Sequence, residues 1–292
     1  MKNNKYEIDM CNGTIMDKLI SFALPLMISG MLQLMFNAVD IIVVGRFTGS
    51  QALAAVGSTT ALICTFTNLF IGVSLGANVL AARFYASGKT KEMSETVHTA
   101  ILLALISGIA MSVIGILCAR ESLVLIATPD DIIGQAALYL RIYFLGMPFF
   151  MLYNYGAAIL RAIGDTKRPL IFLIISGIAN AALNMTLVIL FHMGVAGVSI
   201  ATIFSQGVSA VLITRALMHS DDLYQLEFRK IRFHKAALIS LIWVGCPTGI
   251  QSVLYSVTNM LIQTFLNNLG TDTVAAWSAF GKIDSLYWMV NN

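Results

Sequence analysis

Residues 170–214 contain no Asp, Glu, Lys or Arg. A single helix of that length would be about twice what a hydrocarbon core of roughly 30 Å requires, which is about 20 residues per crossing. The run divides at the polar and glycine residues around His192, Gly194 and Gly197, so it reads as two membrane-crossing helices joined by a short turn. The rest of the chain suits the same solvent, with 58% of its 292 residues hydrophobic and 11% charged. The expectation is an all-α polytopic membrane protein, because a helix satisfies its backbone polar groups internally where water is absent. An outer-membrane barrel would show segments of roughly 10 residues alternating apolar and polar, and no segment here alternates.

Apolar runs predict spans near residues 19–44, 53–82, 97–118, 138–160, 170–191, 195–217 and 236–266, with an eighth beginning at about 274. The first run is too long for a signal h-region and no small-residue cleavage site follows it, so it is expected to stay as a membrane helix. Lys2, Lys5, Lys18, Arg83, Lys89, Lys91, Arg161, Lys167, Arg168, Arg215, Arg229, Lys230, Arg232 and Lys235 fall on one side of the expected spans, and Arg46 and Arg120 on the other. The positive-inside rule then places the N-terminus in the cytoplasm and the protein in the cell membrane as a multi-pass protein. The basic residues thereby account for the net charge of +3 as topology determinants, with no nucleic-acid partner implied. Four cysteines scattered singly give no metal or disulfide framework. No GxxxxGK[ST] motif is present, and the four histidines are dispersed, so neither ATP hydrolysis nor an enzyme is expected.

Asp40 is a lone acid near the end of the first span. A carboxylate inside a bilayer helix costs about 2.5–3.5 kcal/mol on insertion scales and is usually retained for an ion, a proton or a substrate. Gln33, Asn37 and Asp40 stand at i, i+4 and i+7, on one helical stripe, and Asn180 and Asn184 form a second stripe at i and i+4 in the fifth span. At 1.5 Å per residue, Asn184 lies about 21 Å along its helix from Leu170, and Asp40 about 7 Å before Gly45. Both stripes therefore fall in the same half of the membrane, where they are most cheaply satisfied by each other or by a wet cavity. The plainer account of each amide is interhelical hydrogen bonding, worth about 0.6 kcal/mol on average. Lys282 and Asp284 are further charges inside the eighth span; at i and i+2 they point to different faces, and both are candidates to line a central cavity. Pro25, Pro148 and Pro247 lie within apolar spans, where each removes a hydrogen bond and permits a bend.

The chain also repeats itself weakly. Aligning Pro25 with Pro247 brings Asn37 onto Asn259, and a one-residue gap brings Gly49 onto Gly270 and Ala54-Ala55 onto Ala275-Ala276. Both copies are entered from a basic connection, as parallel repeats of six helices require. The expected organisation is a six-helix N-terminal lobe over residues 1–218, a cytoplasmic linker over 219–235, and over 236–292 the first one to two helices of a second, incomplete lobe.

Several motifs resemble those of a known family: Gln33, Phe36, Asn37, Val39 and Asp40 through Gly45-Arg46, then Leu53-Ala54-Ala55-Val56-Gly57, Gly72-Val73-Ser74-Leu75-Gly76-Ala77-Asn78, Tyr139-Leu140-Arg141-Ile142, Arg161 through Pro169, and Gly194-Val195-Ala196-Gly197. Together they are similar to the multidrug and toxic compound extrusion (MATE) transporters. The resemblance implies a twelve-helix fold in two lobes, of which this chain would be the first lobe and the start of the second. It implies an H⁺- or Na⁺-coupled antiporter, with no cofactor beyond the coupling ion, that exports amphipathic organic cations, drugs or metabolites across membrane lipid. It also implies a cation site built from Asp40, Asn180 and Asn184, with Tyr139 and Thr202 as further members. Many relatives carry an aspartate where Asn184 stands, so a site with one carboxylate suits one proton more readily than a hard cation such as Na⁺. The alternatives are a lipid-linked saccharide flippase of related architecture, which a strongly basic cavity would favour, and an inactive truncated fragment.

Overall fold

A computed structural model describes residues 14–126, 128–220 and 223–267. The described residues form helices joined by turns and one longer segment, with α1 Ile15–Phe47, α2 Ser50–Ala86, α3 Thr90–Leu125, α4 Asp130–Leu145, α5 Met147–Ala162, α6 Lys167–Met185, α7 Gly194–Met218 and α8 Lys235–Asn267. Six helices are long and apolar enough to cross a membrane, and α4 and α5, bent by 49° at their break, pass the same test of length and composition as a pair. Each of the seven apolar runs expected to span thus falls on one of these helices or on the α4–α5 pair. The eighth, with Lys282 and Asp284, lies outside the described residues.

The break between α4 and α5 falls at Gly146, two residues before Pro148. Proline supplies no N–H and its ring displaces the preceding turn, which ends α4; the N–H groups of Phe149 and Phe150 then both turn back to the Gly146 carbonyl at 3.1 Å. Gly146 also leaves room for α7, since a Cβ there would sit 2.7 Å from Gln206 Oε1 and 2.9 Å from Ile203 Cγ1 of α7. Pro25 and Pro247, by contrast, stay inside continuous helices.

The core lies where α2, α3, α4, α5 and α7 meet, around Met93, Phe144, Met147, Met151, Tyr155 and Leu217. Large apolar side chains such as Leu117 and Trp243 are exposed on the outer faces, which suits hydrocarbon in place of water. Helix α8 lies antiparallel along α2 through small residues. A Cβ on Gly72 would come within 2.2 Å of Gly249 Cα, and one on Gly76 within 2.8 Å of Gly245 Cα. Two Gly-x-x-x-Gly stripes therefore face each other and bring the backbones together, the usual packing solution where lipid offers no hydrophobic drive between helices. Asn68 Nδ2 donates to Ser256 Oγ at 3.1 Å further along the same seam.

At the basic end of the bundle, Asp165 caps α6. Its Oδ1 accepts from the Arg168 N–H at 3.0 Å, its Oδ2 forms an ion pair with Arg168 Nε, and Arg168 Nη2 donates to the buried Tyr224 hydroxyl at 3.0 Å. One guanidinium thus joins the start of α6 to the segment between α7 and α8. Burial pushes the Asp165 carboxyl above the usual carboxylate range, while the hydrogen bonds and charge of Arg168 pull it back. Replacing Arg168 by Gln leaves a buried carboxylate without its cation, a loss of about 3–5 kcal/mol at neutral pH. Because the folded-state carboxyl then holds its proton more tightly than the unfolded one, stability falls as pH rises. Thermal unfolding of R168Q in detergent should show a deficit at pH 8 that narrows at pH 4; an equal deficit at both would remove Asp165 from the account.

Candidate functional site: a half-buried carboxylate between α1 and α6

The site begins with how closely α1 can approach α6. Gly177 lacks a side chain where the Phe36 ring lies, and a Cβ there would be 2.0 Å from Phe36 Cε2. With that ring seated, the next turn of α1 carries Asp40 onto α6, where Asn184 Nδ2 donates to Asp40 Oδ1. Asn184 is fully buried, and its amide also lies 3.3 Å from Asn180 Oδ1 one turn earlier. Contacts that ascend α1 from 36 to 40 also ascend α6 from 177 to 184, so these helices run parallel, as their shared entry side requires.

Asn184 Oδ1 is buried with no hydrogen-bond partner among the described residues. An orphaned acceptor beside a carboxylate is an arrangement that a proton or a small cation would satisfy, since both supply the missing positive partner. Tyr139 and Tyr143, one turn apart on α4, stack with ring centroids 6.0 Å apart and lie within electrostatic range of Asp40. They share a second apolar cluster with Val43, Val44, Val188, Val195 and Val198.

The other sequence candidates are placed differently. Thr202 is half-buried on α7 and donates its hydroxyl to Val198 O at 3.0 Å, within its own helix. Gln33 and Asn37 are exposed, separate from the Asp40 contact. Their stripe is about 60° wide at 100° per residue. Phe36 and Asp40 occupy the edge packed on α6, and Asn37 lies about 60° round from Asp40 toward the uncovered face. Of the three polar residues on one stripe, Asp40 is therefore half-buried against α6, and Gln33 and Asn37 face the open surface.

Two features were missed. Gln206 on α7 stands beside the Tyr143 phenol with its Oε1 buried and without a partner among the described residues; a lone glutamine in the charge-free run was the available signal. Past Asn184, residues Thr186–Leu190 form a π-helical turn, closed by Phe191 N–H to Thr186 O at 3.2 Å. Such turns recur near functional sites, and nothing in the residue pattern announces this one. His192 at φ 51° and Gly194 at φ 56° then reverse the chain into α7.

A helical multi-pass bundle that holds one carboxylate between two of its crossings has the build of a membrane transporter. The chain belongs to the MatE family, whose model matches residues 25–186. It is 26% identical over 279 residues to "Probable multidrug resistance protein YpnP" of Bacillus subtilis, covering 95% of this chain and 62% of that protein. It is 29% identical over 277 residues to "Probable multidrug resistance protein YoeA" of the same organism, covering 92% and 59%. The chain thus spans about three fifths of the length of these curated relatives. Among solved structures, the outward-facing conformation of a multidrug resistance MATE family transporter superposes with TM-score 0.90 at 21% identity, over 99% of this chain and 64% of that one. The inward-facing conformation gives 0.73 at 20% identity, over 91% and 60%. At these identities the likeness is one of fold.

The Asp40–Asn184 contact is measurable on its own. Replacing either residue by Leu should cost about 1–3 kcal/mol, and replacing both should cost less than the sum, leaving a coupling of about 1–2 kcal/mol. Unfolding of the four proteins in mixed micelles checks this, and additivity within about 0.5 kcal/mol would mean the two side chains do not interact.

Proposed function

We propose that the chain forms the front part of a cation-coupled secondary antiporter that exports organic cations, drugs or metabolites by alternating access. The carrying observation is the Asp40–Asn184–Asn180 cluster, a half-buried carboxylate of α1 against two buried amides of α6, one with an unpartnered oxygen, while the neighbouring α1 residues Gln33 and Asn37 are exposed. The family and the names of its relatives support export of drug-like compounds. The coupling ion is H⁺ or Na⁺, and a site with one carboxylate takes up one positive charge per cycle. The cycle is ordinary linkage: an ion that binds one lobe arrangement better than the other shifts the population toward it. The excess of Lys and Arg on one set of connections supports a cytoplasmic N-terminus in the cell membrane. Neither a catalytic role nor a resident cofactor enters this reading, and the remainder of a second lobe would complete the substrate cavity.

Proteoliposomes containing the whole transporter test it. Asp40→Asn, which keeps the amide contact and removes the titratable group, should reduce gradient-driven efflux to the level of empty liposomes while leaving substrate binding without a gradient intact. Efflux driven by a pH gradient in sodium-free buffer marks H⁺ as the coupling ion, and efflux driven by sodium at symmetrical pH marks Na⁺. Pumping at the wild-type rate by D40N would reduce Asp40 to a structural residue.

A further inference from the structure

A cavity of about 400 Å³ opens at the basic end of the bundle, far along the chain from Asp40, between the first turns of α3 and the segment that joins α7 to α8. Lys91 and Glu95 line it from α3, and Arg229, Lys230 and Arg232 from the joining segment. Lys230 is engaged by Glu227 at 2.5 Å. The four cations, set against Glu95 and Glu227, leave an excess of two positive charges, and among the described residues no carboxylate pairs with Lys91, Arg229 or Arg232. The volume falls in the range of about 300–1,000 Å³ typical of small-molecule sites.

The walls are held in place by buried contacts. His98, 1% exposed, has Nδ1 2.7 Å from Ser94 O and accepts the Glu227 N–H on Nε2 at 3.0 Å. His234 N–H donates to the buried Thr99 hydroxyl at 3.3 Å, and Arg232 Nε donates to His234 Nε2 at 3.0 Å. Two points of the joining segment are thereby pinned to α3. Arg232, anchored through Nε, keeps its terminal nitrogens for an anion, and a guanidinium is well suited to phosphate oxygens.

The cavity also stands at the membrane boundary, because the apolar span of α8 begins at Lys235, directly after His234. Phe228 and Phe233, 62% and 41% exposed, bracket the three basic residues of the joining segment. A basic run flanked by exposed aromatics at the edge of hydrocarbon can place its rings among acyl chains while its cations meet headgroups.

We propose that this cavity is a binding site for a phosphate-bearing anion, of which the headgroup of an anionic phospholipid is one source and a soluble phosphate compound the other. It is independent of the cation site at Asp40 and requires only that the chain spans a membrane. Occupancy would tie α3 to the connection between α7 and α8, the segment through which α8 is joined to the first seven helices.

The test is a titration of the purified chain in a neutral detergent, following the thermal unfolding midpoint. One arm adds dioleoylphosphatidylglycerol, the other potassium phosphate at constant ionic strength. A saturable rise is expected, with the half-saturating concentration roughly 100-fold higher in the K91Q/R229Q/R232Q triple variant, since each lost cation near a headgroup is worth about fivefold. An R46Q/R120Q/R215Q triple, which removes equal charge from exposed positions elsewhere, should bind as the wild type does. Glu95→Gln, which removes the opposing carboxylate, should tighten binding about fivefold and keeps the test decisive if the pocket triple fails to fold. A rise with lipid alone assigns the headgroup, a rise with phosphate alone assigns a soluble compound, and both together assign a site for the phosphate group itself. No rise with either ligand, equal weakening in both triples, or wild-type binding by the pocket triple overturns the proposal, as does unchanged binding by E95Q.

Discussion

Hydrocarbon cannot hydrogen-bond, and most of the architecture follows from that single constraint. Backbone groups are satisfied within helices, so the polar side chains that remain are a small set whose placement can be followed one by one. The serines and threonines of the crossings mostly turn back onto carbonyls of their own helices, as Ser29 does to Pro25 O and Thr67 to Ile63 O. Asp40 has no such option, because a carboxylate only accepts. It is met by the Asn184 amide from another helix, which requires α1 and α6 to approach to a distance that Phe36 can tolerate only over a glycine. The half-buried acid thus calls for a close helix crossing, and Gly177 makes the crossing possible.

The crossings were legible because each rests on a local property of the chain: apolar length, a charge-poor run, and basic residues at alternate connections. The stop at Gly146 was half legible, since Pro148 announced a bend but not that a helix would end there. Asn180 and Asn184 were legible as a pair because i and i+4 share a face whatever the partner. The separation of Gln33 and Asn37 from Asp40 was not, because a stripe about 60° wide can straddle the edge of a contact, and where that edge falls depends on the neighbouring helix. The same reason hides the glycine seam of α2 and α8. Gly72, Gly76, Gly245 and Gly249 have the spacing of a contact stripe, yet spacing does not say that the two stripes meet.

Helix α8 begins the part of the chain that the internal repeat sets apart, but it is not peripheral to the described bundle. Its backbone lies against α2 along two glycines on each side. Such a seam makes few side-chain interlocks, so it resists separation through close backbone packing more than through interdigitated knobs. A contact of this kind holds two helices together while leaving sliding and rotation less obstructed than a seam of large side chains would.

Helix α1 occupies the opposite situation. In its most apolar stretch 11% of residues are buried, against 44% in α7, so apolar packing within the described residues constrains it least of the crossings. The Phe36–Gly177 contact and the Asp40–Asn184 hydrogen bond are therefore among the contacts that fix its position, with the burial of Val43 and Val44 at its end. A hydrogen bond to a charged acceptor is roughly twice as strong as one between neutral groups, so any ligand that neutralises Asp40 weakens the tie to Asn184 at the helix with the least other restraint. Under the proposed antiport mechanism, the energy of ion binding is then delivered where the bundle is softest, one helical turn from the exposed polar side chain of Asn37.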